Sequence, residues 1–186
     1  MPGDITTLLD RWGAGDRSAL DELAPLVYPQ LRSIAGSFLR QERSGHTLNA
    51  TGLVNELFLK LLARRSARFE SRRHFYSLCA SLMRMALIDH ARTAQAEKRG
   101  GEREFVPLHD EIPWVDAGGA QFLELDAALE ELAGIAAQQA EIVELRYFAG
   151  CSVEETAEIV GVSKSTVDRE VRDARAWLYR KLKPRK

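Results

Sequence analysis

The chain has 186 residues and its charges nearly cancel, with 26 Lys+Arg against 27 Asp+Glu for a formal net charge of −1, which excludes a uniformly basic nucleic-acid coat. A composition of 45% hydrophobic and 28% charged residues is that of a globular protein with room for one domain or two small ones, and excludes a disordered chain. No charge-free apolar run approaches the ~18 residues of a membrane span, and Met1 to Trp12 lacks the basic-then-apolar order of a signal peptide, so a cytoplasmic protein is expected.

Apolar residues recur at i, i+3, i+4, i+7 spacing and strand-like alternation is absent, so the elements are read as helices. A first helix spans Ile5 to Trp12. A second resumes after Asp16 or Ser18 and reaches Gln41, with Pro25 and Pro29 expected to bend or divide it, because proline lacks an N–H and clashes with the preceding turn. A third runs from Ala50 to Arg64, with Leu53, Leu57 and Leu61 on one face and Val54, Phe58 and Leu62 beside them. The fourth, Arg72 to Ala96, carries Phe75, Leu78, Cys79, Leu82 and Ala86 as its apolar stripe. Residues 98–122 break the pattern with Gly100, Gly101, Pro107, Pro113, Gly118 and Gly119, and are read as a flexible linker. Phe105 and Trp114 imply that parts of it dock on something apolar. The helical period returns over 123–134, 138–148, 153–160 and 164–182. Cys79 and Cys151 form no C-x-x-C pair and read as small buried apolar side chains.

The near-zero charge hides a pattern. Residues 1–59 hold 5 basic and 7 acidic side chains, 60–103 hold 11 and 4, 104–158 hold 1 and 13, and 159–186 hold 9 and 3. Two basic blocks flank an acidic one, as two separate contacts with a polyanion would require, although solvated helix faces give the same count.

The most specific stretch is Cys151 to Val167. Ser152 and Glu155 make an S-x-x-E capping box for a helix start. Ala157 is small where two helices cross, Gly161 suits a turn with positive φ, Ser163 caps a second helix, and Val167 locks that helix into the core. All of these fall in register for a helix-turn-helix. The second helix carries Val167, Val171, Ala174, Leu178 and Leu182 as one apolar stripe, with Ser165, Arg169, Arg172 and Ala176 opposite. Ser163, Lys164, Ser165 and Thr166 sit at its start, the part of such a motif that meets base edges in the major groove. Arg169 and Arg172 suit guanine or phosphate, and Asp168 either accepts from a cytosine amino group or favours the helix N-terminus. The basic tail from Arg180 to Lys186 suits phosphate attraction or plain solubility.

With this motif last in a short all-helical chain, the sequence resembles a bacterial extracytoplasmic-function sigma factor, from about Leu8 to Leu182. Three stretches carry the resemblance. Thr51 to Leu61 is similar to the family's D-x-V-Q-E-x-F-L-x-L helix, which docks on the clamp of RNA polymerase, with Asn55 and Glu56 on the Q-E pair and Gly52 where an acidic residue is common. Phe69 to Arg92 resembles the melting and minus-ten recognition region, with Ile88-Asp89-His90 and Arg92 on the I-D-x-x-R pattern. The helix-turn-helix resembles S-x-x-E-x-A-x-x-x-G-x-S-x-x-T-V, and Arg99-Gly-Gly101 is similar to the start of the long linker of one subgroup.

The resemblance implies an all-α protein of two small helical domains joined by a flexible linker, the second a four-helix domain containing the helix-turn-helix. Residues 1–97 are expected to bind core polymerase and the minus-ten element, 98–122 to link, and 123–186 to bind the minus-thirty-five element. It implies polymerase contacts by Asn55, Glu56, Phe58 and Lys60, whereas Leu53, Leu57 and Leu61 read as core. Held single strands need stacking aromatics and cations, and Arg64, Phe69, Arg72, Arg73, His74, Tyr76, Arg84, His90 and Arg92 are the candidates. Phe69 is equally a loop anchor, Phe75 reads as core, and Asp89 reads as structural. His74 and His90 are too far apart for a metal pair, and no cofactor, metal or catalysis is expected. Core RNA polymerase and promoter DNA are the implied partners, with an anti-sigma factor or another regulator as a further one. A serine recombinase would need strands and a nucleophilic serine near the N-terminus, and an ordinary dimeric repressor leaves the basic aromatic block over 60–103 without a use.

Overall fold

The computed structural model describes residues 5–39, 50–63, 71–97 and 120–182, which form eight helices with no strand among the described residues. The first, α1 (Ile5–Gly13), buries Leu8 and Leu9. Arg11 ties it to α2 (Ser18–Leu39) by donating to Asp16 at 2.9 Å and to Glu22 at 3.0 Å. Asp16 in turn accepts from the backbone and hydroxyl of Ser18, which fixes the start of α2. The Ser18 and Arg11 hydrogen bonds hold the Asp16 carboxyl below its ordinary pKa.

Helix α2 runs unbroken through Pro25 and Pro29, so of the expected bend or division the division is not found. Both prolines are exposed and stand four residues apart, so the carbonyls they leave without an N–H lie along one solvent-facing side. The opposite side, with Leu23, Val27 and Leu31, is buried and carries the helix across.

Helix α3 (Ala50–Ala63) buries Leu53, Val54, Leu57 and Leu61, in keeping with the core reading of its leucines. The central element is α4 (Arg72–Glu97), which packs on α1 and α3 from one side and on α5, α6 and α7 from the other. Its burial therefore extends beyond one stripe: Tyr76, Ala80, Met83 and Leu87 are covered as well as Phe75, Cys79, Leu82 and Ala86.

The C-terminal half comprises α5 (Ala120–Ile135), α6 (Ala137–Tyr147), α7 (Val153–Val160) and α8 (Lys164–Leu182). Helix α5 starts earlier than its sequence period implied because Phe122, placed in the linker by its neighbours, is a core residue set edge-on to Phe148 at 6.3 Å. Residues 98–119, including Phe105 and Trp114, lie outside the described residues. Buried apolar side chains from both halves form one cluster, so the halves are packed together. No helix of the described residues is long and apolar enough to cross a membrane.

Candidate nucleic-acid and polymerase interfaces

The strongest motif folds as its residues require. The Ser152 hydroxyl accepts from the Glu155 N–H at 3.1 Å while the Ser152 N–H donates to the Glu155 carboxylate at 2.7 Å, so both arms of the capping box are made. Helix α7 ends at Gly161, whose φ of 78° lies in the left-handed region that a side chain resists, and whose N–H closes on the Ala157 carbonyl at 2.9 Å. Two residues on, the Ser163 hydroxyl accepts from the Thr166 N–H at 3.1 Å and starts α8. Val167, Ala174 and Leu178 bury the apolar stripe of α8, with Val171 and Leu182 half-buried.

That burial turns the candidate recognition residues outward. Ser163, Lys164, Ser165, Asp168, Arg169 and Arg172 are exposed and Thr166 is half-buried. The hydroxyls of Ser165 and Thr166 both lie 2.9 Å from that of Ser163. Lys164 reaches back to Glu154 at 2.8 Å, and this hydrogen bond lowers the Glu154 pKa. Arg169 pairs with its neighbour Glu170 at 3.1 Å, and Arg172 stands 3.9 Å from Asp173. Such exposed pairs are weak and readily exchanged for phosphate or a base edge.

Helix α4 presents its cations differently. Arg84 donates to Asp126 at 2.5 Å, to Glu144 at 2.7 Å and to the Asp126 carbonyl at 2.8 Å, all on α5 and α6. Arg73 makes a two-pronged pair with Glu141 of α6, a bond that raises its pKa, and Arg72 reaches Glu158 of α7 at 3.5 Å. Tyr76, a stacking candidate by sequence, is buried in this arrangement beneath the Arg72 guanidinium, which lies 6.0 Å from its ring centre. Burial raises the Tyr76 pKa, with Cys151 and Glu155 adding to it. His74 is exposed and His90 half-buried, while Arg92 is exposed with Asp89 3.9 Å away. Asp89 itself is exposed. Arg64 and Phe69 lie outside the described residues.

On α3 the polar pair is outward: Glu56 holds Lys60 at 2.9 Å, and Asn55 accepts from the Tyr28 hydroxyl at 3.4 Å. Phe58 is half-buried and stacks on Tyr28 at 5.9 Å. Beside them stands Leu59, 65% exposed, which sequence reasoning passed over. The leucines at 53, 57 and 61 define the buried face, and the odd leucine off that face was the signal.

The family model described as ECF sigma factor matches residues 2–184, nearly the whole chain. The chain belongs to this family. Neither a curated protein nor a solved structure matches it significantly. Membership implies binding to RNA polymerase and to promoter DNA in promoter-specific initiation, as a regulatory DNA-binding factor rather than an enzyme. In this sigma factor no group of three or more His, Cys, Asp or Glu among the described residues could hold a metal ion. The other residues missed by sequence were the acidic partners of α4: Asp126, Glu141, Glu144 and Glu158. Their signal was the acidic block itself, whose opposite charge to the 60–103 block named the class of partner without the pairing.

Proposed function

We propose that this ECF sigma factor reads promoters through two modules and docks on core polymerase through α3. Residues 123–186 would bind the minus-thirty-five element with the first turns of α8, using Ser163, Lys164, Ser165, Thr166, Asp168, Arg169 and Arg172. Residues 1–97 would hold the minus-ten element through α4 and the segment before it, and 98–122 would join the modules. Asn55, Glu56, Phe58 and Lys60 would meet the polymerase, with Leu59 as the apolar anchor of that face. An anti-sigma factor or another regulator is the further partner this reading expects.

The observation that carries the reading is the outward, partly basic start of α8 on a buried apolar stripe, in a chain matched along its length by the family. The test is transcription by purified protein with core RNA polymerase in a genome-wide run-off assay. Initiation at a discrete set of promoters is expected, and no initiation at any promoter would overturn the reading.

A further inference from the structure

We propose that the hollow between α5, α6 and α8 is a docking site for the chain's own segment Glu104 to Asp116, with Trp114 set against it beside Arg175.

The hollow is walled by Leu125 and Leu129 of α5, by Val143 of α6 with Phe148 just beyond that helix, and by Leu178 of α8, and Arg175 is its one charged lining residue. Arg175 is the anomaly. The other cations of α8 (Lys164, Arg169, Arg172, Arg180 and Lys181) are exposed, whereas Arg175 is half-buried. Lys164, Arg169, Arg172 and Lys181 each stand beside a carboxylate, yet the Arg175 side chain meets no acceptor among the described residues. A cation drawn onto an apolar wall and left without a partner is unfavourable unless something meets it there. What suits it is an aromatic face or a carboxylate carried next to an apolar side chain.

That combination is tethered to the site. Residues 104–116 carry Phe105, Ile112 and Trp114 among four carboxylates (Glu104, Asp110, Glu111 and Asp116), with no Lys or Arg. Trp114 lies six residues before Ala120, where α5 begins, so its tether spans at most ~20 Å. Leu125 is only ~7.5 Å along α5 from that point. Gly118 and Gly119, in the tether, permit the chain to turn back on the helix. Phe105, much farther back in the sequence, is held at a lower effective concentration, which is why the site is assigned to Trp114.

The hollow is shallow, and a separate molecule would hold it weakly. A short tether raises the effective concentration to the order of millimolar, where one indole on an apolar wall with a cation against its face is enough. The end of the joining segment then belongs to the C-terminal half, and the stretch that bridges the halves shortens to residues 98–109.

The chain has three tryptophans, so Trp12→Phe/Trp177→Phe in the full chain leaves Trp114 as the reporter. Its emission and acrylamide quenching are compared with those of the same protein in denaturant. We expect blue-shifted emission and protection from quenching. Adding Arg175→Glu should weaken docking roughly tenfold and bring quenching towards the denatured value. Arg180→Glu, the same charge change on the exposed side of α8, should leave quenching as it was. Glu111→Lys/Asp116→Lys should act like Arg175→Glu, and combining the two should restore most of the protection, a rescue that general destabilisation would not give.

Quenching of Trp114 as in denaturant, an equal effect of Arg175→Glu and Arg180→Glu, or no rescue by the charge swap would overturn the site. Protection that rises with protein concentration would also overturn it, because a second copy would then be the occupant. If Arg175→Glu loses helicity by circular dichroism, the Glu111→Lys/Asp116→Lys protein decides, since it alters no residue of the described helices, and unchanged quenching there overturns the proposal. All of these outcomes are read without polymerase or DNA, so the result of the run-off assay does not bear on them.

Discussion

Helices α4 and α8 both offer arginines, yet Arg172 of α8 is 74% exposed while Arg84 of α4 is 13% exposed between Asp126 and Glu144. The difference lies in where each finds its partners. Arg169 and Arg172 pair with the next residue in the chain, and Lys164 with one ten positions back, so the proposed recognition surface of α8 is complete once its own hairpin folds. Arg84, Arg73 and Arg72 take partners 42 to 86 positions away in the other half. Their availability is a property of how the halves are arranged. Two basic blocks that look alike in composition are thus a standing surface and a conditional one.

The largest expected effect removes the standing surface from within. Phe148 is buried edge-on to Phe122, and Phe148→Ala should cost about 3–5 kcal/mol of stability, measured by denaturant unfolding, with loss of duplex binding by α8. A loss below about 1 kcal/mol would mean that the C-terminal core does not support α8. Next comes a surface outside the packing of the two halves. Leu59→Asp on α3 should weaken binding to core polymerase by about 2 kcal/mol or more while the unfolding midpoint stays unchanged, because Leu59 has little core packing to lose. Glu56→Ala should weaken core binding less, and neither change should alter DNA binding by the free protein.

The comparison itself is tested by matched arginine substitutions. Arg169→Ala or Arg172→Ala should weaken duplex binding by about 1–3 kcal/mol at one base position if the side chain reads a base, or evenly across sequences with a shallower salt slope if it holds phosphate. Arg73→Ala should change free-protein affinity for minus-ten DNA far less than it changes promoter opening with polymerase. An equal loss in both assays would show that α4 is as available as α8.

How much of this was legible in the sequence follows from the same distinction. The hairpin of α7 and α8 could be read closely, down to Val153–Val160 and Lys164–Leu182, because Ser152, Glu155, Gly161 and Ser163 act on neighbours within four residues. The prolines of α2 do not divide the helix because their cost depends on which way the freed carbonyls face, which is set by packing of Leu23, Val27 and Leu31. Phe122 was assigned to the linker because its core partner lies 26 positions on, at Phe148. Tyr76 had the chemistry of a stacking residue, and its burial beside Arg72, with Cys151 and Glu155 of the other half near enough to raise its pKa, leaves no mark in the local pattern. Contacts across the halves leave a charge balance in the sequence but no register.

The smallest expected effect bears on the point where local and remote contacts meet. Ser152 and Glu155 cap α7 reciprocally, and the same Glu155 carboxylate accepts from Gln30 of α2 at 3.3 Å. Ser152→Ala removes the hydroxyl that accepts the Glu155 N–H but leaves the carboxylate able to accept from both the residue 152 N–H and Gln30. It should therefore cost about 1 kcal/mol of C-terminal stability in denaturant unfolding and leave the alkylation rate of Cys151, a buried thiol that reacts faster where the halves part, near that of wild type. Glu155→Ala removes the cap and the bridge together, so it should cost a similar amount of stability and also speed Cys151 labelling. If Ser152→Ala alone speeds labelling as much as Glu155→Ala, the α7 cap and the inter-half contact are a single cooperative unit, and the standing surface of α8 is itself conditional.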